Sequence, residues 1–326
     1  MRLLAVVMSV AVVAGATVWA QTQRTTPEPK TAPAPVSTAV DKGARWLASV
    51  QGADGGWGQD GGEASSARPG ERLESSGNDV ANTAVAALAL LQAGRQYEPQ
   101  VERALAFVLQ RIEASPADGL AITDRQGTQI QRKLGPYIDT FLSSMLMSQI
   151  DGRASTPALN ARVRKALQKT VAKIEKHQQS DGSWNIAGGW APVLGTSMAS
   201  RSLFEAKNRG VAVDAAVLNR AETYTVSAMS APQPSATRVA GVVGGRVGTL
   251  ASAAPAEAAG VALYQGAQAL EQLSRTASDR VENARQISAI QGQLADAAFV
   301  GGFGSMGGEE FFSYLNISDS MKRVGG

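Results

Sequence analysis

Lys42-Gly-Ala-Arg-Trp46-Leu-Ala-Ser-Val-Gln51-Gly-Ala-Asp-Gly55-Gly-Trp57 is the most informative stretch of this 326-residue chain. Its first half reads as a helix and its second as a Gly-rich turn that ends on Trp. The same frame returns at Lys169, Lys173-Ile174, Gln178, Gly182 and Trp184, with six residues from Gln to Trp in both copies. Worn copies stand at Arg103-Ala104 with Phe107-Val108, where Ile112 replaces Gln, and at Arg220-Ala221 with Tyr224, where Met229 does. A recurring helix-and-turn predicts a repeat protein, whose units bury their apolar faces only against one another.

A second series interleaves with the first. Segments beginning at Thr83, Thr140 and Thr196 each run as a helix from that Thr to a Gly (Gly94, Gly152, Gly210), and the three Thr are 57 and then 56 residues apart. Gly just beyond a helix end is the usual stop. A further helix is expected before each segment, over 40–51, 101–113 and 161–179, with another over 215–229. The unit is therefore a helix pair of roughly 55 to 60 residues. Ala84, Ala86, Ala87 and Ala89 in the first segment suit close approach within a crowded inner layer. The preceding helices carry Lys, Arg and Glu on one face and suit a solvated outer layer. An all-α architecture of two concentric rings, an α/α toroid, follows, with a plain solenoid of helix pairs as the alternative.

Around this core the chain divides further. Residues 1–20 have Arg2, an apolar run and a small-residue end at Ala20, the pattern of a cleaved export signal. An uncleaved membrane anchor is the other reading, since 3–20 is just long enough to span. Both place the body of the protein outside the cytoplasm, in the periplasm or beyond. Residues 21–38, with Pro27, Pro29, Pro33 and Pro35, read as a Pro-rich tether. Residues 39–326 are the toroid domain, broken by an Ala/Gly/Ser-rich loop at about 230–257. Helices are expected again over 257–273, 279–298 and 308–317, which leaves a six-pair ring one pair short.

Composition removes several chemistries. The chain has no cysteine and one histidine, His177, so thiolate catalysis, disulfides and Cys- or multi-His metal sites are excluded. A net charge of +3 is no nucleic-acid footprint. Gly302-Phe-Gly304-Ser-Met-Gly307 matches a dinucleotide-loop pattern only formally, because no strand precedes it.

The basic residue, the aromatic-aliphatic pair, the Gln and the Gly-x-Trp of residues 42–57 resemble the QW repeat of squalene and oxidosqualene cyclases. The resemblance is firm over about 40–210 and implies the α/α toroid of the terpenoid cyclases and prenyltransferases. It implies a structural role for Gln51, Trp57, Gln178 and Trp184: the amide ties neighbouring outer helices, and the indole packs over the turn and donates its N–H. Bacterial squalene cyclases protonate their substrate from an Asp-x-Asp-Asp-Thr-Ala motif. The matching residues here are Asp79-Val80-Ala81-Asn82-Thr83-Ala84, so Ala81 and Asn82 replace the two central carboxylates. Neither can protonate an alkene. The zinc of protein prenyltransferases requires a Cys, so no metal and no cofactor are expected.

Catalytic candidates are Asp79, Asp139, Glu309 and Glu310, carboxylates at inner-helix starts. Ligand-binding candidates are Asn82, Thr83, Tyr137, Thr140, Trp190, Thr196 and Ser197. A non-catalytic binding or scaffolding role, for a lipid, glycan or protein ligand at the toroid cavity or mouth, is the expectation. The alternative is a cyclase-, lyase- or hydrolase-like enzyme on an isoprenoid or polysaccharide. Neighbouring acids at helix N-termini more often complement the helix dipole than catalyse.

Overall fold

The computed structural model describes residues 34–58, 77–184, 192–230 and 266–296. Their helices are α1 (Ala34–Ser49), α2 (Val80–Ala93), α3 (Glu98–Ala114), α4 (Gln129–Leu134), α5 (Ile138–Ile150), α6 (Pro157–Lys176), α7 (Pro192–Asn208), α8 (Ala215–Ser230), α9 (266–273), α10 (Ala277–Glu282) and α11 (Ala284–Ala295). Among the described residues there is no strand, only an isolated bridge between Trp57 and Asp79. The molecule is all-α, as the helical periodicity requires.

The helices form two layers. In the inner row α2 packs on α5 and α5 on α7; in the outer row α1 and α3 lie on α2, α6 on α5, and α8 on α7. α9 extends the inner row beside α7, where Ser197 Oγ meets Gln268 Oε1 and Arg275 Nη1 donates to Ser200 Oγ at 3.0 Å. This is the two-layered curve of an α/α toroid. Outer helices bury one stripe: α3 turns in Val101, Ala104, Leu105, Val108 and Ile112, at the three- and four-residue spacing of one helix face. The inner helix α5 buries nearly everything. Along α5 only Gln149 escapes burial. In α2 Ala84, Ala86 and Ala87 are buried while Ala89 is exposed, so small side chains admit close neighbours on the packed side.

The two intact turns are built alike. Gln51 Nε2 donates to Gly55 O (2.9 Å) and to Gln100 O in the next outer helix (2.8 Å), and Arg103 donates to Gln51 Oε1. One repeat frame later, Gln178 Nε2 donates to Gly182 O (3.0 Å) and Val217 O (2.8 Å), and Arg220 Nε to Gln178 Oε1 (2.9 Å). The indoles of Trp57 and Trp184 donate back to Leu47 O and Ile174 O at 2.9 and 2.7 Å. Gly55 and Gly182 have φ of 85° and 90°, the left-handed region, and a Cβ would lie 2.5 Å from Arg103 O or 2.2 Å from Arg220 O. The next outer helix thus passes directly over each glycine.

Several boundaries differ from expectation. α1 begins at Ala34, inside the stretch 21–38 read as a tether; Pro35 falls in its first turn, where a missing N–H breaks no helical bond. The helix expected over 279–298 is two, α10 and α11, parted at Asn283, whose Nδ2 donates to Glu222 Oε1 at 2.8 Å. α4 was not anticipated. It starts on a capping box in which Thr128 Oγ1 accepts from Gln131 N and Gln131 Oε1 from Thr128 N. The expected signal at 1–20, the loop at 230–257 and the last helix at 308–317 lie outside the described residues.

Candidate functional site

The sequence candidates at the starts of α2 and α5 come together. Asp79 is the N-cap of α2, with Oδ1 accepting from Asn82 N at 2.8 Å and Oδ2 from Asn82 Nδ2 at 2.7 Å. Aspartate suits this position because helix starts leave N–H groups unpaired and carry positive potential. Asp139, in the first turn of α5, reaches the same helix end: its Oδ1 accepts from Ala81 N at 3.1 Å. Its Oδ2 accepts from Gln131 Nε2 at 2.7 Å, and that amide also donates to Arg125 O at 2.9 Å. Arg125 in turn donates through Nη1 to Asn78 O. Three separate segments therefore meet around the first turn of α2.

Both carboxyls are buried. Burial raises Asp79 above the ordinary carboxylate range, against the opposing pull of the Asn82 bonds and the Arg125 charge. Asp139, only 2% exposed, is pushed up to about 6. Desolvation is the main cause there; the Gln131 bond opposes it, and the negative Asp79 nearby adds to it. A protonated carboxyl near neutral pH is one ingredient of acid catalysis.

The three Thr of the inner series are committed to the scaffold. Thr83 Oγ1 accepts from Trp57 N at 2.9 Å and donates to Asp79 O at 2.6 Å. Thr196 Oγ1 accepts from Trp184 N at 3.1 Å. Thr140 Oγ1 donates to Leu120 O at 2.7 Å. All three are fully buried. Ser197 is also buried, against Gln268, whereas Asn82 is half-buried on the rim of α2. Tyr137 is the half-buried residue preceding α5, and its carbonyl accepts from Thr140 N at 3.0 Å. Trp190, Glu309 and Glu310 lie outside the described residues.

Gln131 and Arg125 were not among the candidates. The spacing Thr128-x-x-Gln131 is a capping-box signature readable from sequence, but nothing local announces that the Gln amide crosses to Asp139. His177 is the half-buried C-cap of α6, its Nδ1 at 2.8 Å from Lys173 O. Among the described residues no three His, Asp or Glu side chains cluster as a metal would need, and no helix is long and apolar enough to cross a membrane.

Residues 30–120 match the family model described as the squalene-hopene cyclase C-terminal domain. That stretch holds the first Gln-to-Trp turn, the capped start of α2 and all of α3. No curated protein and no solved structure gives a significant match to the chain. Over residues 30–120 the match, the all-α two-layered fold and the Gln-to-Trp turn agree, and this stretch is similar to the squalene-hopene cyclase C-terminal domain of the prenyltransferase and squalene-cyclase repeat family.

Proposed function

We propose that this chain is an exported, non-catalytic binding or scaffolding member of the squalene-cyclase repeat family, its toroid mouth taking a hydrophobic, glycan or protein ligand. One observation carries this reading: Asp79, the one acid left of the cyclase-like motif, and Asp139 beside it are both bonded to first-turn N–H groups of α2. A carboxyl held by two donors inside packed protein lacks the open approach that a substrate needs. Ala81 and Asn82 add no acid. Export is supported by residues 1–20, whose Arg2 and following apolar run fit a secretory signal.

Asp139 favours a second reading. Its raised proton affinity, together with the half-buried Asn82 rim, would serve an acid-assisted reaction on an isoprenoid or polysaccharide. Incubating the purified protein with squalene and with a panel of polysaccharides, and following products by mass spectrometry, separates the two. The scaffold reading expects no product, with Asp139→Asn altering only the unfolding midpoint. Turnover that disappears in folded Asp139→Asn would establish the enzyme instead.

A further inference from the structure

We propose that the cleft between α7, α8, α9 and α10 binds a single neutral sugar ring. Phe204 and Lys207 border it from α7, Asn219 and Glu222 from α8, Gln272 from α9 and Asp279 from α10. None of them belongs to the Asp79 and Asp139 cluster, so this is a second site, independent of that one. Its volume is about 110 Å³, against about 300 Å³ or more for the site of a drug-sized ligand, so one small ring is what fits.

Gln272 stands at the floor. It is 4% exposed, its Oε1 accepts from Thr225 Oγ1 at 2.8 Å, and its Nε2 has no partner. A buried polar atom without a partner is rare in folded protein and calls for one from outside. Thr225 Oγ1 also lies 3.0 Å from Ala221 O and has only one hydrogen to give. With the Gln272 amide turned over, Nε2 serves Thr225 and Oε1 is the atom left over. A hydroxyl both donates and accepts, so it answers either orientation.

Charge selects a neutral ligand. In the lining Lys207 and Arg275 are balanced by Glu222 and Asp279, so a ligand of either sign meets repulsion as well as attraction. What remains on offer is hydrogen bonding. Glu222 Oε1 accepts from Asn283 Nδ2 and Asp279 Oδ2 from Thr276 N, which leaves the second oxygen of each carboxylate to accept from hydroxyls. Lys207 and Asn219 are exposed at the rim, and no described group engages their side chains. The apolar side is the Phe204 ring with Leu218; Arg275 lies 4.8 Å over that ring and is itself held by Glu271 at 3.0 Å. An aromatic wall beside planar amides and carboxylates suits a ring with apolar C–H faces and a hydroxyl edge, which is a sugar.

Saturation-transfer NMR titrations of the full chain test this, with glucose, galactose, mannose and N-acetylglucosamine as neutral probes. Glucosamine and glucuronate serve as charged counterparts of the same ring. At least one neutral sugar should bind with millimolar affinity, and more tightly than either charged one. Asn219→Ala should weaken it about fivefold, the scale of one hydrogen bond. Lys207→Ala leaves the lining net negative, so glucosamine should then overtake glucose. Both residues are exposed, so the fold does not depend on them. Binding that is lost in Asn219→Ala belongs to this cleft whether or not the toroid mouth takes a ligand. Silence from every neutral sugar at about 50 mM, far weaker than any specific site, would overturn the proposal. So would binding that both substitutions leave untouched, or a preference of the parent protein for a charged sugar.

Discussion

The turn at residues 178–184 and the connection after α3, at residues 112–123, do the same job with different groups. In the first, a Gln amide on the earlier repeat reaches forward to Val217 O of the next outer helix. In the second, where Ile112 stands in place of that Gln, the donors come from the later repeat. Lys169 Nζ donates to Ile112 O and Ser115 O, and Lys173 Nζ to Gly119 O and Ala121 O. The plug differs too. Trp184 fills the intact turn and its backbone N–H donates to Thr196 Oγ1, whereas Leu120 and Ile122 are buried in the other connection and Thr140 Oγ1 donates to Leu120 O. What each seam requires is donors for the carbonyls and an apolar plug beneath the loop, not one residue type.

Trp184→Ala should break the intact side most severely. It opens a large cavity and removes the donor to Ile174 O, and a loss of about 3–5 kcal/mol is expected from comparable buried aromatics. The midpoint of urea unfolding reports it. Leu120→Ala on the other side should cost less, about 2–4 kcal/mol. Equal losses would mean that the two plugs bear similar weight despite their sizes.

Much of this organisation was legible in the sequence. Thr83, Thr140 and Thr196 marked the inner helices because each Thr serves the loop before it, and the six-residue Gln-to-Trp spacing marked the two intact turns. The connection held by Lys169 and Lys173 was not legible as such: a lysine on an outer helix reads as solvated until its partner carbonyls, more than fifty residues away in sequence, are known. The meeting of Asp139 with Ala81 N was hidden for the same reason, since 58 residues separate them. Local pattern locates elements, while contacts between repeats depend on how the rows curve.

Asp139 belongs to this second class of long-range contact, and its titration sharpens the contrast. Its folded pKa of about 6 exceeds that of an unfolded Asp near 3.9. The native state therefore holds the proton more tightly, and the stabilisation is complete below about pH 4 and lost as pH rises through 6. The expected loss is about 2–3 kcal/mol. Chemical unfolding measured between pH 4 and 7 should show this fall in the parent protein and a flatter profile in Asp139→Asn. Parallel profiles would assign the proton to another group.

Lys173→Met tests the lysine seam with the buried stem kept. Lys173 is 2% exposed, so the apolar replacement fills the same space but orphans Gly119 O and Ala121 O. A loss of about 2 kcal/mol is expected, the usual scale for unpaired buried groups. The same seam contains a more conspicuous pairing, Arg162 against both oxygens of Glu113 at 2.9 and 3.0 Å. Its side chains are 51% and 44% exposed, however, so water and salt screen the attraction. The Arg162 bonds hold the Glu113 carboxyl below its usual range, and the stability this brings is present at neutral pH and fades as pH falls toward the carboxylate range. Glu113→Gln should therefore cost no more than about 0.5 kcal/mol at low ionic strength and nothing measurable in 0.5 M salt. A loss as large as that of Lys173→Met would move the weight of the seam from carbonyl capping to the ion pair. The expected gap follows from burial, because the ammonium of Lys173 works beneath the loop while the guanidinium of Arg162 works in water.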